Sequence, residues 1–407
     1  MKYLFNEIFS RSRKNLRQIN KWMLLPLLSL FWGCNHQKND QLLDRFQELE
    51  NLTVYSVDAK PAVKISFQLD AIYGDSNEVL IGRIVDVAVD RRGRVYIADI
   101  GNMVLYTFDP DGKYIERLGR DGKGPGEFNF IKSLQIRQDQ LYVFDSTMHR
   151  LNIFSLDSLA LSKTVSLGGN KSSYQALSRT FPEIRNLHVR DDGFLIAEFV
   201  KHATTEKTQP FQNIELLSLF YLLGDDGNIS KELYEFTSAI ITDLGIVYNI
   251  KEFFGHVLKG FTSKDQFYLA EPDYFLVKIF NPYGEYQSAF LYPINKILLT
   301  PETAVEAGVS DRLISLMESI NLPETWPVLT DLKIDDQDRL WVATTVDDMT
   351  IYEWWVLENT GELITRFEWP RNEPIEVVKN EYIYTRETNE ETGLQQIVRY
   401  RIEFEEV

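Results

Sequence analysis

A five-residue apolar segment recurs six times in this chain, and that recurrence limits the available folds more than any other feature. The copies are Val95-Tyr-Ile-Ala-Asp99, Leu141-Tyr-Val-Phe-Asp145, Phe194-Leu-Ile-Ala-Glu198, Phe267-Tyr-Leu-Ala-Glu271, Leu340-Trp-Val-Ala-Thr344 and Tyr382-Ile-Tyr-Thr-Arg386. β-Branched and aromatic residues bounded by turn formers read as strands. An apolar strand and a polar turn precede each copy, and third and fourth strands follow in most. The unit is clearest at Ile84–Asp90, Val95–Asp99, Val104–Phe108 and Tyr114–Leu118, with Asp, Gly and Pro at the turns. Four antiparallel strands repeated radially are the pattern of a β-propeller, so the expectation is an all-β, six-bladed propeller over residues 52–407.

The last copy is one strand short, because little chain remains after Gln395–Arg401. The segment 62–71 precedes the first full blade and has the pattern of an outermost strand. It is expected to complete the sixth blade and close the ring, since an open array would leave unpaired edges.

Strand parity predicts where function lies. Turns between strands one and two, and between three and four, fall on one face of the disc; the remaining connections fall on the other. The first set is short throughout, as at 90–93, 138–140, 264–266 and 336–338. The second set holds every long excursion, about 168–182, 201–213, 237–255, 293–327 and 387–393. Rigid scaffolds carry function on such loops, so this long-loop face is the expected binding surface. The largest excursion reads as a small helical insertion at about 300–320. Thr300-Pro301-Glu302 has an N-cap, a first-turn proline and a first-turn acid. A second helix from Ser310-Asp311 would present Leu313, Leu316, Met317 and Ile320 on one side, to the propeller rim or as a lid.

Several residues are candidates for the binding face. Asp99, Asp145, Glu198 and Glu271 end equivalent second strands, where they would accept hydrogen bonds from the next turn or ring a cation. Phe211 and Trp326 lie in long excursions and suit stacking on a sugar or gripping a peptide. Of the five histidines, His188 and His256 fall near innermost strands, but no ligand-spaced pair occurs. No nucleophile elbow, phosphate loop or cofactor motif is visible, so no catalytic residue, cofactor or metal is assigned.

The N-terminus reads as an address. Six basic residues and one acid precede an apolar run of about eleven residues ending at Gly33-Cys34, too short to span a bilayer. Residues 1–33 are expected to be a signal peptide and 34–51 a polar tether. Leu30-Phe-Trp-Gly-Cys34 resembles a lipobox, which implies lipidation of Cys34 and a membrane anchor at the periplasmic or outer-membrane face. Without residues 1–33 the chain has 37 basic and 59 acidic residues, a formal charge of −22. Such an excess repels phosphate backbones and argues against nucleic acid as a partner.

Gly119-Arg-Asp-Gly-Lys-Gly-Pro-Gly-Glu-Phe128 resembles the inter-blade signature of NHL-type propellers, and Asp90-x-x-Gly93 through Asp99-x-x-Asn102 resembles their blade motif. With the lipobox, the chain is similar to bacterial six-bladed, NHL-repeat-like lipoproteins, a family of largely unassigned function. The resemblance is specific in the first two blades and elsewhere rests on strand rhythm. The function expected is a non-catalytic binding or scaffold propeller at the cell envelope, holding a protein, peptide or glycan. The alternative is a metal-dependent lyase or lactonase acting at the central channel mouth.

Overall fold

Among the described residues, alternating apolar runs and tight turns give twenty-five strands in six sheets. The computed structural model describes residues 45–46, 48–74, 79–167, 181–203, 213–224, 227–242, 251–317 and 321–406. Residues 1–33 and Cys34 lie outside them. Chain contacts divide the protein into residues 1–52 and 53–407; the propeller occupies the second unit.

Blade 1 comprises Ile84–Val89, Val95–Asp99, Val104–Phe108 and Tyr114–Leu118, from channel to rim. Blades 2 to 5 repeat this order from inner strands Ile131–Arg137, Phe181–Val189, Leu258–Phe261 and Leu329–Ile334, and blade 6 begins at Ile375–Lys379. Leu52–Val54 adds a fifth strand to the outer edge of blade 4. The expected closure is present: Val63–Tyr73 pairs antiparallel with Gln395–Glu406 and forms the outermost strand of blade 6.

The tight turns on one face share a side-chain device. Asp90 accepts hydrogen bonds from the amides of Arg92 and Arg94, from Arg94 Nε and from Tyr96 Oη. Asp335 repeats this with the amides of Gln337 and Arg339, Arg339 Nε and Trp341 Nε1. A buried carboxylate thus satisfies a turn and ties it to the next strand. Gly93, at φ +82°, completes the first of these turns in the left-handed region that glycine adopts without strain.

The core is a series of seams, because each blade is covered on both faces by its neighbours. Trp354 and Trp355 are adjacent in sequence yet both buried. Trp355 packs with Phe275 and Tyr292 of blade 4, whereas Trp354 packs with Trp369, Ile375 and Ile383 toward blade 6. Alternation along this strand therefore buries both rings, one in each of two seams.

Blade 3 departs from the predicted loop boundaries. Its second strand continues through His202, paired with Leu216, and its outer strand runs to Thr242, paired with Asn213. Parts of the excursions placed at 201–213 and 237–255 are therefore strand. Alternating apolar residues such as Ile214 and Leu216 continue the ladder beyond the usual blade length.

Inner strands share one irregularity that positions the channel. In five blades the register shifts near the strand's start: Ile84/Asp86, Ile131/Ser133, Ile184/Asn186, Leu329/Asp331 and Ile375/Val377. The extra residue is Val85, Lys132, Arg185, Thr330 or Glu376. A bulge of this kind re-aims a side chain that regular pairing would direct elsewhere.

Candidate functional site

The four acids expected at equivalent strand ends go to three different environments. Asp99 is fully buried. It accepts from the amides of Gly82 (2.7 Å), Arg83 (2.8 Å) and Gly101 (2.8 Å), and from Asn102 Nδ2 (2.7 Å). Asp145 does the same with the amides of Asn129 (2.8 Å) and Met148 (3.0 Å), with the Arg150 guanidinium 3.8 Å away. Both carboxylates clamp the entering inter-blade link to the turn after the second strand, and their lone pairs are occupied by their own chain. Glu271 is half-exposed, pairs with Lys278 at 2.5 Å and lines a lateral groove between blades 3 and 4.

Glu198 turns toward the next blade. It is buried and bonded to Asn186 Nδ2, Ser218 Oγ (2.5 Å) and the ammonium of Lys259 in blade 4. Burial alone would raise its pKa, but Lys259 and these donors outweigh it and hold the carboxyl below its ordinary value.

The aromatic candidates also separate. Phe211 lies outside the described residues. Trp326 is 4% exposed, packed on Phe253, Ala304 and Met349, with Nε1 donating to Thr303 Oγ1 at 2.9 Å. It is an internal anchor of the helical insertion, not an exposed stacking platform. The insertion forms helices Pro301–Glu306 and Asp311–Leu316, the first with a reciprocal capping box between Thr300 and Thr303. Met317 packs on the anchored cluster as expected, joined by Ile314, which was not among the expected contacts; the Leu316 side chain and Ile320 lie outside the described residues.

Inner strands of all six blades enclose a cavity of ≈ 580 Å³ along the central axis. Its wall is mixed: Val87, Leu134, Leu187, Phe261, Leu332 and Val377 supply apolar surface, and Gln135, Asn186 and His188 are among the polar residues beside them. Every inner strand runs from the long-loop face to the tight-turn face, so residues early in these strands stand near the former.

The tight-turn end is tied across the axis. Arg137 of blade 2 reaches the turn of blade 4, with Nη2 at 3.0 Å from Asp265 Oδ1 and Nη1 donating to the Ser263 carbonyl at 2.9 Å. His188 lies 3.1 Å from the same Asp265 oxygen and stacks on Phe261, ring centroids 3.8 Å apart. Burial lowers the His188 pKa against the opposing pull of Asp265, which favours the neutral ring. His188 is therefore at the channel, as its strand position implied, whereas His256 is exposed. Among the described residues no group of three His, Cys, Asp or Glu could hold a metal ion.

The inner strands also carry ionisable residues: Asp86, Lys132, Arg185, Lys259, Lys333 and Glu376 come from six successive blades, and Lys259, Lys333 and Glu376 line the cavity. Asp86 accepts the Leu134 amide of the next blade at 2.6 Å, and burial raises its pKa from 3.8 to about 6. In this pH range the folded state binds more protons at Asp86 than the unfolded chain, so this group costs stability as pH rises through 4 to 6. Asp86→Asn should therefore gain on wild type by up to about 3 kcal/mol between pH 4 and 7. Urea midpoints at the two pH values check this, and a pH-independent difference would contradict it.

Comparison with known proteins agrees with this architecture. Residues 75–178 match the family model DUF5128, described as a 6-bladed beta-propeller. No curated protein matches the chain. A solved DUF4221-family protein from Bacteroides vulgatus has a TM-score of 0.53 at 10% identity, covering 86% of this chain and 100% of its own. A Bacteroides fragilis protein provisionally named as exported gives 0.49 at 12% identity, covering 87% and 100%. Virginiamycin B lyase from Staphylococcus aureus gives 0.39 at 11% identity, covering 83% and 99%. Identities this low show fold alone. The chain is a six-bladed β-propeller, similar over its first two blades to the DUF5128 6-bladed beta-propeller family.

Proposed function

We propose that this chain is a lipid-anchored, extracytoplasmic binding propeller that holds its ligand in the central channel, entered from the long-loop face. The observation that carries this reading is the ≈ 580 Å³ axial cavity, lined by the inner strands of all six blades and by charged residues that include Lys259, Lys333 and Glu376. Structural cores avoid such groups because desolvating charge is costly. Small-ligand sites combine apolar walls with a few convergent polar groups at about this volume. The strand ends joined by the long connections lie at the same end, and the basic, apolar and cysteine-terminated N-terminus supports an anchor on Cys34.

The test joins the two halves. Cys34→Ser should move the expressed protein from the membrane fraction to the soluble one. Purified wild-type protein should be stabilised in thermal-shift assays by members of a panel of short peptides and oligosaccharides. Leu134→Trp, which fills the channel, should remove that response while leaving the circular dichroism spectrum intact. An unchanged response in the filled variant would refute channel binding.

A further inference from the structure

Charged side chains that line the channel are committed to partners within the chain, with one exception. Arg137 faces Asp265, Lys259 faces Glu198, Lys333 lies 3.2 Å from Asp331, and Glu376 lies 3.0 Å from Arg386. Asp335 holds Arg339, and Asp336 accepts the Asn380 amide at 3.1 Å. The exception is Lys379, the last residue of the blade 6 inner strand, at the tight-turn end. Its side chain is half-buried, and its ammonium forms no hydrogen bond or ion pair among the described residues. Burial lowers its pKa against the pull of Asp336 and Asp90, neither of which closes to an ion pair.

A cation left unpaired and partly desolvated in a cavity is costly, and a ligand that supplies the counter-charge removes that cost. His188 narrows what the ligand can be. It lines the same end of the channel from blade 3, which stands opposite blade 6 in the ring. Asp265 is kept ionised against burial by His188, the Asp191 amide and Arg137. Its oxygen therefore only accepts, which puts the His188 proton on Nε2 and leaves Nδ1 a bare acceptor with no partner among the described residues. A dianionic phosphate, rich in acceptors, would oppose that lone pair and the nearby Asp336. A carboxylate carries one charge, which a single ammonium meets.

Val87, Leu134, Leu332 and Val377 precede the tight-turn residues of their strands and give the channel apolar surface further toward the long-loop face. Resting on the channel reading above, we propose that Lys379 is an anion subsite at the tight-turn end of the channel, and that the ligand is an apolar monocarboxylic acid. The carboxylate pairs with Lys379, and the hydrocarbon lies along Leu134, Leu332 and Val377.

Isothermal titration of the full chain with octanoate, octanamide and octyl phosphate tests the proposal. Octanoate should bind at least roughly tenfold more tightly than octanamide, as loss of a charge-assisted contact implies. Lys379→Met should erase that preference by weakening octanoate and leaving octanamide as it was. Lys379→Arg, which keeps the charge, should preserve most of it. Equal binding of acid and amide to the wild-type chain, or a preference that survives Lys379→Met, would overturn the anion subsite and leave the channel reading standing. Tighter binding of octyl phosphate than of octanoate would overturn the ligand class. Failure of all three to bind would overturn the proposal, whereas a peptide or oligosaccharide response abolished by Leu134→Trp would still support channel binding.

Discussion

A chain beginning at residue 75 is expected to lose its cooperative unfolding transition, and Tyr73→Ala alone should cost about 3–5 kcal/mol. The strand Val63–Tyr73 pairs with the C-terminal strand from Val63–Glu406 through Tyr73–Ile397. It also reaches both neighbouring blades. Phe67 contacts Phe367 and Trp369 of blade 5, at centroid distances of 4.7 and 5.2 Å. Tyr73 is fully buried, set edge-on to Phe108 of blade 1 and donating to the Pro110 carbonyl at 2.9 Å. At the bulge in this pairing, Asp70 accepts from Arg399 Nε at 2.6 Å. Without the strand, Gln395–Glu406 becomes an open edge and two seams lose apolar cover. Urea denaturation followed by circular dichroism gives the measurement. A Tyr73→Ala loss below about 1 kcal/mol would show that closure does not depend on this packing.

Asp99→Ala should cost about 2–3 kcal/mol, because the amides of Gly82, Arg83 and Gly101 lose their shared buried acceptor. Asp99→Asn should cost less, since its amide oxygen retains part of the acceptor capacity. The pair of variants separates two roles for a residue that strand position alone leaves open. A ligand-binding acid would tolerate alanine with little change in stability and lose binding. A clamp loses stability in the order Ala, then Asn. Chemical denaturation of both variants decides, and equal near-zero costs would refute the clamp.

Much of the architecture was legible because it is written in local chemistry. Period-two apolar runs set the strands, and Asp and Gly set the turns at Asp90 and Asp335. Counting strands then required the segment at 62–71 to complete blade 6, since the alternative was an open sheet edge. Parity followed from antiparallel pairing and put the long connections on one face. The helix start at Thr300 was equally local, fixed by a cap that its own neighbours satisfy.

The candidate site was legible only in outline. Four acids at one repeat position looked equivalent, yet Asp99 and Asp145 bind their own backbone, Glu198 bonds to Lys259, and Glu271 faces a lateral groove. Trp326 sat in a long excursion but became a core anchor once Phe253 and Met349 met it. Trp354 and Trp355 show the cause in miniature. Every blade face is covered, so alternation separates one seam from the next and does not separate inside from outside. The sequence by itself determined blade count, closure and the face of the long connections, since these depend on nearest neighbours along the chain. Tertiary structure alone decided which charges meet at the axis. Arg137, His188 and Asp265 come from three inner strands or turns far apart in sequence, and six such strands must come together before a channel exists.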